Sequence, residues 1–389
     1  MPLNKNFKRE AKNYHTGVDD KLEPLRPLDI NEANDFDDML GAMSKTAFGG
    51  RKVGEGVETL YKMFSDKNAF VVLSLARAMT PAKMGLVICE MIDRGFVHAI
   101  VSTGALMTHG FVEASGLTHF KYDPKIDDVE LFKAGYNRIY DTLELERNLD
   151  SIEGIIYKVL DTIDSKIILS SRFLTRELGK WLTQNTTGRG ILKSAYLKNV
   201  PVYVPAFTDS ELGLDVALYN RSRQSLGKRQ FDFNPFIDLN HFAELINAQK
   251  KTAIITIGGG VPRNWSQQVG PYLELISGRM PKGLAPKHIK GNKYTYALRI
   301  SPESVHWGGL SGSTYSEAVS WGKFVPKSMG GSHTEVLEDA TVVWPMMLKA
   351  VIQRIEKHGI KIKKNFDLEK QVKEVGKLMK RYKLDKNLY

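Results

Sequence analysis

Ala253-Ile254-Ile255-Thr256-Ile257-Gly258-Gly259-Gly260 is an unbroken apolar, β-branched run that ends in three glycines. Its length and composition suit a strand buried on both faces, after which glycine releases the backbone into a turn. The segment Asn240–Lys250 ahead of it has helical periodicity, so a helix feeds the strand. The same order recurs upstream. Phe70-Val71-Val72-Leu73 reads as a strand, Lys83–Ile92 as a helix, and His98-Ala99-Ile100-Val101 as a strand ending at Ser102-Thr103-Gly104. Val200-Pro201-Val202-Tyr203-Val204-Pro205 reads as another strand. Strands and helices that alternate in this way predict an α/β fold with a Rossmann-like parallel sheet flanked by helices. Ligands of such sheets bind beyond the carboxyl ends of the strands. Ser74, Ser102-Thr103-Gly104, Thr208-Asp209 and Gly258-Gly259-Gly260 are therefore expected to meet in one crevice.

Around this body the organisation is that of one large domain, residues 25–356, with an extension at each end. Asn34–Met43 and Gly54–Phe64 are helical, and Ser277–Asn292, rich in Gly and Pro, reads as a surface loop. Residues 1–24 are polar and lysine-rich and form a loose arm. Residues 357–389 hold eleven Lys or Arg against four Asp or Glu, a surplus of seven within a net charge of +11. The body is thus nearly balanced, which argues against a nucleic-acid partner. Leu368, Val372, Val375, Leu378 and Met379 recur at helical spacing inside this tail, which predicts a basic amphipathic helix laid on its own protein or on a neighbouring subunit.

The single cysteine, Cys89, lies in an apolar run, so a disulfide framework is excluded and a reducing, cytoplasmic setting is expected. No run approaches the ~18 apolar residues of a membrane span. Lys5, Lys8, Arg9 and Glu10 have no apolar stretch behind them, unlike a secretory signal. The nine histidines show spacings, such as His109 to His119 and His288 to His306, that fit no common ligand pattern, and no metal is expected. His333, in Gly330-Gly331-Ser332-His333, reads as solvent-exposed.

Ser316-Glu317-Ala318-Val319-Ser320-Trp321-Gly322-Lys323 sets a lysine directly behind a short helical turn. A free lysine is protonated at neutral pH, so imine chemistry at Lys323 needs burial or a cationic neighbour to lower its pKa. Glu317 and Trp321 are four residues apart and share a helix face, a carboxylate beside an indole. Gly322 is placed to end the turn in a left-handed conformation and to direct Lys323 into a site. Spacing alone leaves a second reading open, a surface lysine behind a helix cap.

The run Glu317–Lys323 resembles the active-site segment of the deoxyhypusine synthase family, whose lysine carries a covalent imine. Further segments agree in the family's order: Met43-Ser44-Lys45-Thr46-Ala47-Phe48-Gly49-Gly50, Asn137-Arg138-Ile139, Val202–Asp209, Ile257–Val261 and Glu338-Asp339-Ala340. The resemblance spans residues 25–356 and implies an NAD-dependent transferase acting on polyamines. It implies that spermidine is oxidised by NAD beside its secondary nitrogen, that Lys323 attacks the resulting imine and expels 1,3-diaminopropane, and that a second amine displaces Lys323 before reduction. It also implies a homotetramer with shared active sites. Gly258, Gly259, Gly260, Thr103, Asp209, Asp339 and Ala340 match cofactor-binding positions, which Ser74 and Gly104 join by their place at strand ends. Trp321, Glu317, Asn264, Glu211 and Asp215 are the candidate substrate-binding residues.

The departures from the family pattern bear on the substrate. Where protein-modifying synthases carry an acidic run after the second strand, this chain reads Gly104-Ala105-Leu106-Met107-Thr108-His109-Gly110. In Thr208-Asp209-Ser210-Glu211-Leu212-Gly213-Leu214-Asp215 the second acid is displaced by one position, and Asn264 stands where the family has a histidine. Trp307-Gly308-Gly309-Leu310-Ser311-Gly312 lacks two of the family's acids. This pattern resembles the bacterial deoxyhypusine synthase-like branch and implies a changed donor or acceptor. A small diamine such as putrescine is the acceptor it points to, as in a homospermidine synthase. Glu211, Asp215 and Glu317 remain to pair with ammonium groups, although Glu211 and Asp215 also fit a solvated loop. A synthase that modifies a protein lysine, or a non-catalytic NAD-binding oligomer, are the alternatives.

Overall fold

The computed structural model describes residues 9–76, 78–281 and 285–385. Nine strands follow in chain order: β1 Ala69–Leu75, β2 Ala99–Ser102, β3 Phe120–Lys121, β4 Tyr136–Ile139, β5 Thr142–Leu145, β6 Val202–Tyr203, β7 Lys251–Ile257, β8 Tyr294–Ile300 and β9 Ser332–Val336. Six of them form a fully parallel sheet in the order β6-β2-β1-β7-β8-β9. Strand order reverses between β1 and β7, as in doubly wound sheets, and that reversal opens a crevice. The sheet predicted from the alternating pattern is therefore present.

The apolar runs are continuous because each strand is covered on both sides. Leu73, Ile100, Ile255 and Leu298 face a core with Phe64, Trp344 and Met347. Their neighbours Val72, Val101, Ile254 and Ala297 face a second core with Phe242, Leu273, Tyr315 and Phe324. Leu75 lies opposite both Ser102 and Ile257, so β2, β1 and β7 end level. Thr103 N donates to Leu75 O at 3.3 Å and Ala76 N to Ile257 O at 3.0 Å, which closes the floor of the crevice.

Other elements depart from the sequence reading for identifiable reasons. The strand expected over Val200–Pro205 shrinks to Val202–Tyr203, because Pro201 and Pro205 have no N–H for a ladder. The helix before β7 is Pro235–Asn247, capped by the Asn234 side chain with Pro235 in its first turn, rather than Asn240–Lys250. The helix Val269–Arg279 runs into the expected loop Ser277–Asn292, of which residues 282–284 lie outside the described ones. His333 is not exposed. It sits in β9 with its ring edge-on to Phe324 at 5.3 Å, and burial draws its pKa down to about 4. The antiparallel sheet β3-β5-β4, an excursion between β2 and β6, carries no strong period of two and was not read from sequence.

The tail folds back as the helix Leu368–Arg381, which packs on Pro235–Asn247 and buries Val375 and Met379. Lys364 fastens the approach to it: its Nζ donates to the carbonyls of Met63, Phe64 and Asp66 at 3.3, 3.2 and 2.9 Å, around the carboxyl end of the helix Phe48–Ser65. No described helix is long and apolar enough to cross a membrane. Truncating a buried methionine costs about 2–5 kcal/mol, and a buried charge costs more. Met379→Asp is thus expected to release the terminal helix, seen as tryptic cleavage within residues 368–381 while the rest of the chain stays protected. Unchanged protection would show that the helix is held by other contacts.

Candidate active site

Helix Tyr315–Ser320 starts at Thr314, whose hydroxyl accepts from Glu317 N at 3.0 Å. It stops at Gly322, whose φ of +72° lies in the left-handed region expected of it. Lys323 N then donates to Ala318 O at 3.1 Å, and Lys323 O accepts from Tyr294 N at 3.1 Å. The lysine backbone is thereby tied to the start of β8, while its side chain runs up between two helices. The packing is close enough that a side chain at Gly270 would meet Gly322 O at 2.9 Å.

The second wall is the helix Gly260–Gln267. Lys323 Nζ donates to Asn264 Oδ1 at 3.2 Å and stands 5.9 Å from the Trp321 ring centroid. Burial lowers the lysine pKa first, the Arg263 guanidinium lowers it further, and Glu317 opposes both; the net direction is down. Asn264 accepts a hydrogen bond without supplying a negative charge that would hold the proton. Arg263 is itself buried and donates to the carbonyls of Ser311 and Ser313, which Arg299 also engages. A lysine held in this way spends more of its time as the free amine. Trp321 lines the cleft beside Glu317 but is 64% exposed, so the cleft around Lys323 is open on that side.

The cleft meets the glycine turn at Gly260. Gly259 has a role the sequence reading did not foresee. A Cβ there would lie 2.3 Å from Ser311 Oγ and 2.6 Å from its Cα, so the glycine admits the chain around Ser311, and Ser311 Oγ accepts from Gly260 N at 3.2 Å. Gly104 likewise admits Ser210. Thr103 caps the helix Gly104–Ala114 through Leu106 N. Ser74, beside Val101 and Thr256 in the sheet, is buried and its hydroxyl has no hydrogen-bond partner among the described residues, while Asp209 is exposed just beyond β6. Ser74, Thr103, Gly104, Asp209 and Gly258–Gly260 thus lie at or beyond the ends of four adjacent strands, β6, β2, β1 and β7. Asp339 and the buried Ala340 lie beyond β9 at the opposite edge, where the Asp339 carboxylate caps the helix Ala340–Lys357.

Two candidate residues are not brought to Lys323 within one chain. Glu211 and Asp215 lie on the helix Glu211–Ser225, which packs on Glu146–Asp161, and neither lines the lysine cleft. Burial, with the charges of Glu153 and Glu211, pushes the Asp215 carboxyl up to about 7. Conversely, sequence reasoning missed Arg263, Gln268 and Ser313 in the cleft. The adjacency of Arg263 to Asn264, just after the glycines, was the available signal.

The sequence pattern of the family described as deoxyhypusine synthase matches residues 38–351. A Methanosarcina acetivorans protein named "Probable deoxyhypusine synthase 2" is 32% identical over 332 residues, 85% of this chain and 90% of that one. A "Deoxyhypusine synthase-like protein" of Elusimicrobium minutum is 31% identical over 304 residues, 77% of each chain. Among solved structures, an Entamoeba histolytica protein assigned as a deoxyhypusine synthase superposes with a TM-score of 0.54 at 14% identity, covering 88% of this chain and 99% of that one, a likeness of fold.

Asn264→Asp places a carboxylate against Nζ, which favours the ammonium form and raises the Lys323 pKa by about 1 to 3 units. Reaction of Lys323 with an amine-selective acylating reagent, followed by mass spectrometry against pH, is expected to shift its midpoint upward by that amount. An unshifted midpoint would mean that the Asn264 contact does not govern the lysine.

Proposed function

The chain belongs to the deoxyhypusine synthase family, and from that premise we propose that it transfers an aminobutyl group from spermidine to a small diamine such as putrescine, with Lys323 as the covalent carrier. Aminobutyl transfer is the activity of the family, which makes the chain a transferase. The acceptor, the lysine imine, the cofactor and the assembly are the proposed parts.

The carrying observation is the setting of Lys323: half-buried beside Arg263, bonded to a neutral amide and open to a cleft. A nucleophilic amine needs a lowered pKa and access to carbon, and this setting supports both. Glu317 and the Trp321 face offer a carboxylate and a π surface to a cationic substrate. Asn264 orients Nζ from the opposite wall.

The residues at the crevice fit NAD in chemistry. The Ser74 hydroxyl is buried without a partner among the described residues, the Asp209 carboxylate is exposed, and the Gly104 and Gly260 helices begin there. Ser74, Thr103, Gly104, Asp209 and Gly258–Gly260 would hold the dinucleotide, with Asp339 and Ala340 at a further helix start. When bound, NAD supplies a hydride acceptor and then a hydride donor. The chain's own work is to present Lys323 as free amine, to hold the ammonium ends of the donor, and to keep water from the imine.

One chain alone leaves Trp321 exposed and Asp215 outside the lining of the lysine cleft. Both observations support a homotetramer with shared sites, in which a neighbouring copy covers the indole and brings Glu211 and Asp215 to the polyamine. The lone, buried Cys89, its thiol pushed up to about 11 by burial, fits a reducing cytoplasm.

Incubation with NAD, spermidine and putrescine is expected to yield homospermidine, and borohydride is expected to trap labelled spermidine on the wild-type chain but not on Lys323→Arg, which keeps charge without imine chemistry. Deoxyhypusine formed on a translation-factor precursor, with no homospermidine, would move the acceptor to a protein lysine. Label retained on Lys323→Arg would remove the lysine from the mechanism. A further expectation is that Asp215→Asn raises KM for the polyamine about tenfold or more, the cost of one charge-assisted contact; an unchanged KM would exclude Asp215 from substrate binding.

A further inference from the structure

His109 and His119 showed no ligand spacing in the sequence, yet the fold brings them together on one carboxylate, Glu144. His109 Nδ1 lies 2.9 Å from Glu144 Oε2, His119 Nε2 lies 2.8 Å from the same oxygen, and the two nitrogens are 3.3 Å apart. His119 and Glu144 are buried, and His109 is half-buried. We propose that His109, His119 and Glu144 form a binding site for a divalent first-row transition ion, separate from the lysine cleft.

Three observations carry this assignment. The first is the ligand set: two imidazoles with one carboxylate form a facial triad suited to zinc or ferrous iron, and no thiolate is needed. The second is spacing. Ligand atoms at about 2.0–2.1 Å from such an ion stand about 3.0 Å apart on an octahedral face and about 3.3 Å apart on a tetrahedral one, close to the edges seen here. A proton serves one edge of that triangle, whereas an ion serves all three atoms at once. The third is the support behind the carboxylate ligand. Glu144 Oε1 accepts from Asn148 Nδ2 at 2.8 Å and from Leu145 N at 2.9 Å, which leaves Oε2 directed to the imidazoles. Hydrogen bonds behind a ligating carboxylate fix its orientation toward the ion. On the far side of the His119 ring Lys83 Nζ donates to Nδ1 at 3.1 Å and pairs with Glu113 at 2.6 Å, so an ion at Nε2 takes the place of the ring proton.

The place of the triad in the fold states its role. His109 is on the helix that begins at Gly104, His119 immediately precedes β3, and Glu144 is in β5. An ion there staples the antiparallel excursion to the helix that starts at the crevice, and so holds Thr103 and Gly104 in position.

The test uses the full-length, tag-free chain stripped with a chelator and titrated with Zn²⁺ by calorimetry and with Co²⁺ by visible absorption. The expected result is one ion per chain, a Co²⁺ spectrum distinct from that of the ion in buffer, and a thermal midpoint raised by Zn²⁺. His109→Gln keeps a donor for Glu144 but is a poor ligand. It is expected to lose stoichiometric binding while its metal-free circular dichroism and thermal midpoint stay those of the wild type. A wild-type chain that binds no ion at equivalence, or shows the Co²⁺ spectrum of buffer, overturns the proposal. So does a His109→Gln chain that binds as tightly as wild type. If His109→Gln fails to fold, the wild-type Co²⁺ spectrum decides the question.

Discussion

Parallel pairing of β1 with β7 is the constraint on which the rest of the structure depends. It joins residues of the first and second halves of the chain in one register, Ala69 with Lys251 through Leu75 with Ile257. The chain can continue from either strand only by crossing to opposite sides, so the helices that follow diverge and leave a crevice at the strand ends. The glycine turn after β7, the Thr103 cap after β2 and the buried Ser74 hydroxyl all take their positions from that register. A slip by one residue would exchange Leu73, Ile255 and their neighbours between the two cores.

The lysine cleft is built on a charged layer at the β8–β9 edge of this sheet. Arg299, wholly buried in β8, pairs with Glu335 of β9 at 2.8 Å and shares the Ser311 and Ser313 carbonyls with Arg263. Burying two guanidinium groups is costly unless they are so partnered. Here the arrangement holds the chain around Ser311 against the glycine turn and sets a fixed positive charge beside Lys323. Structural support and pKa control therefore rest on the same groups, and a change at Arg263 would disturb both.

Surface features complete a consistent picture. Part of the tail's basic surplus, Lys370, Lys373, Lys377, Lys380 and Arg381 against Glu369 and Glu374, sits on a helix whose apolar side is docked on the protein's own Pro235–Asn247 helix, so that share of the positive charge follows from keeping the helix soluble on one face. The exposed Trp321 and the acid pair Glu211 and Asp215 are unlike such solvated features. One is an aromatic left open beside a nucleophile, and the other includes a carboxyl whose ionisation is opposed by its own surroundings.

Much of this was legible in the order of residues. Apolar runs ending in glycine or hydroxyl residues announced the sheet and its crevice, because burial on both faces favours apolar side chains along most of a strand. Gly322 ahead of Lys323 announced the turn that aims the lysine, since a left-handed cap depends only on neighbours. What depends on distant neighbours was not legible. Asn264 meets Lys323 across 59 positions and His109 meets Glu144 across 35. His333, which reads as a polar loop beside two glycines, becomes a ring packed against Phe324 only because β9 adds to the edge of β8. Local sequence determines backbone choice through sterics and burial pattern. Which side chains share a site, and at what pKa, is decided by tertiary packing, because electrostatic and ligand geometry depend on separations in space that the chain order does not encode.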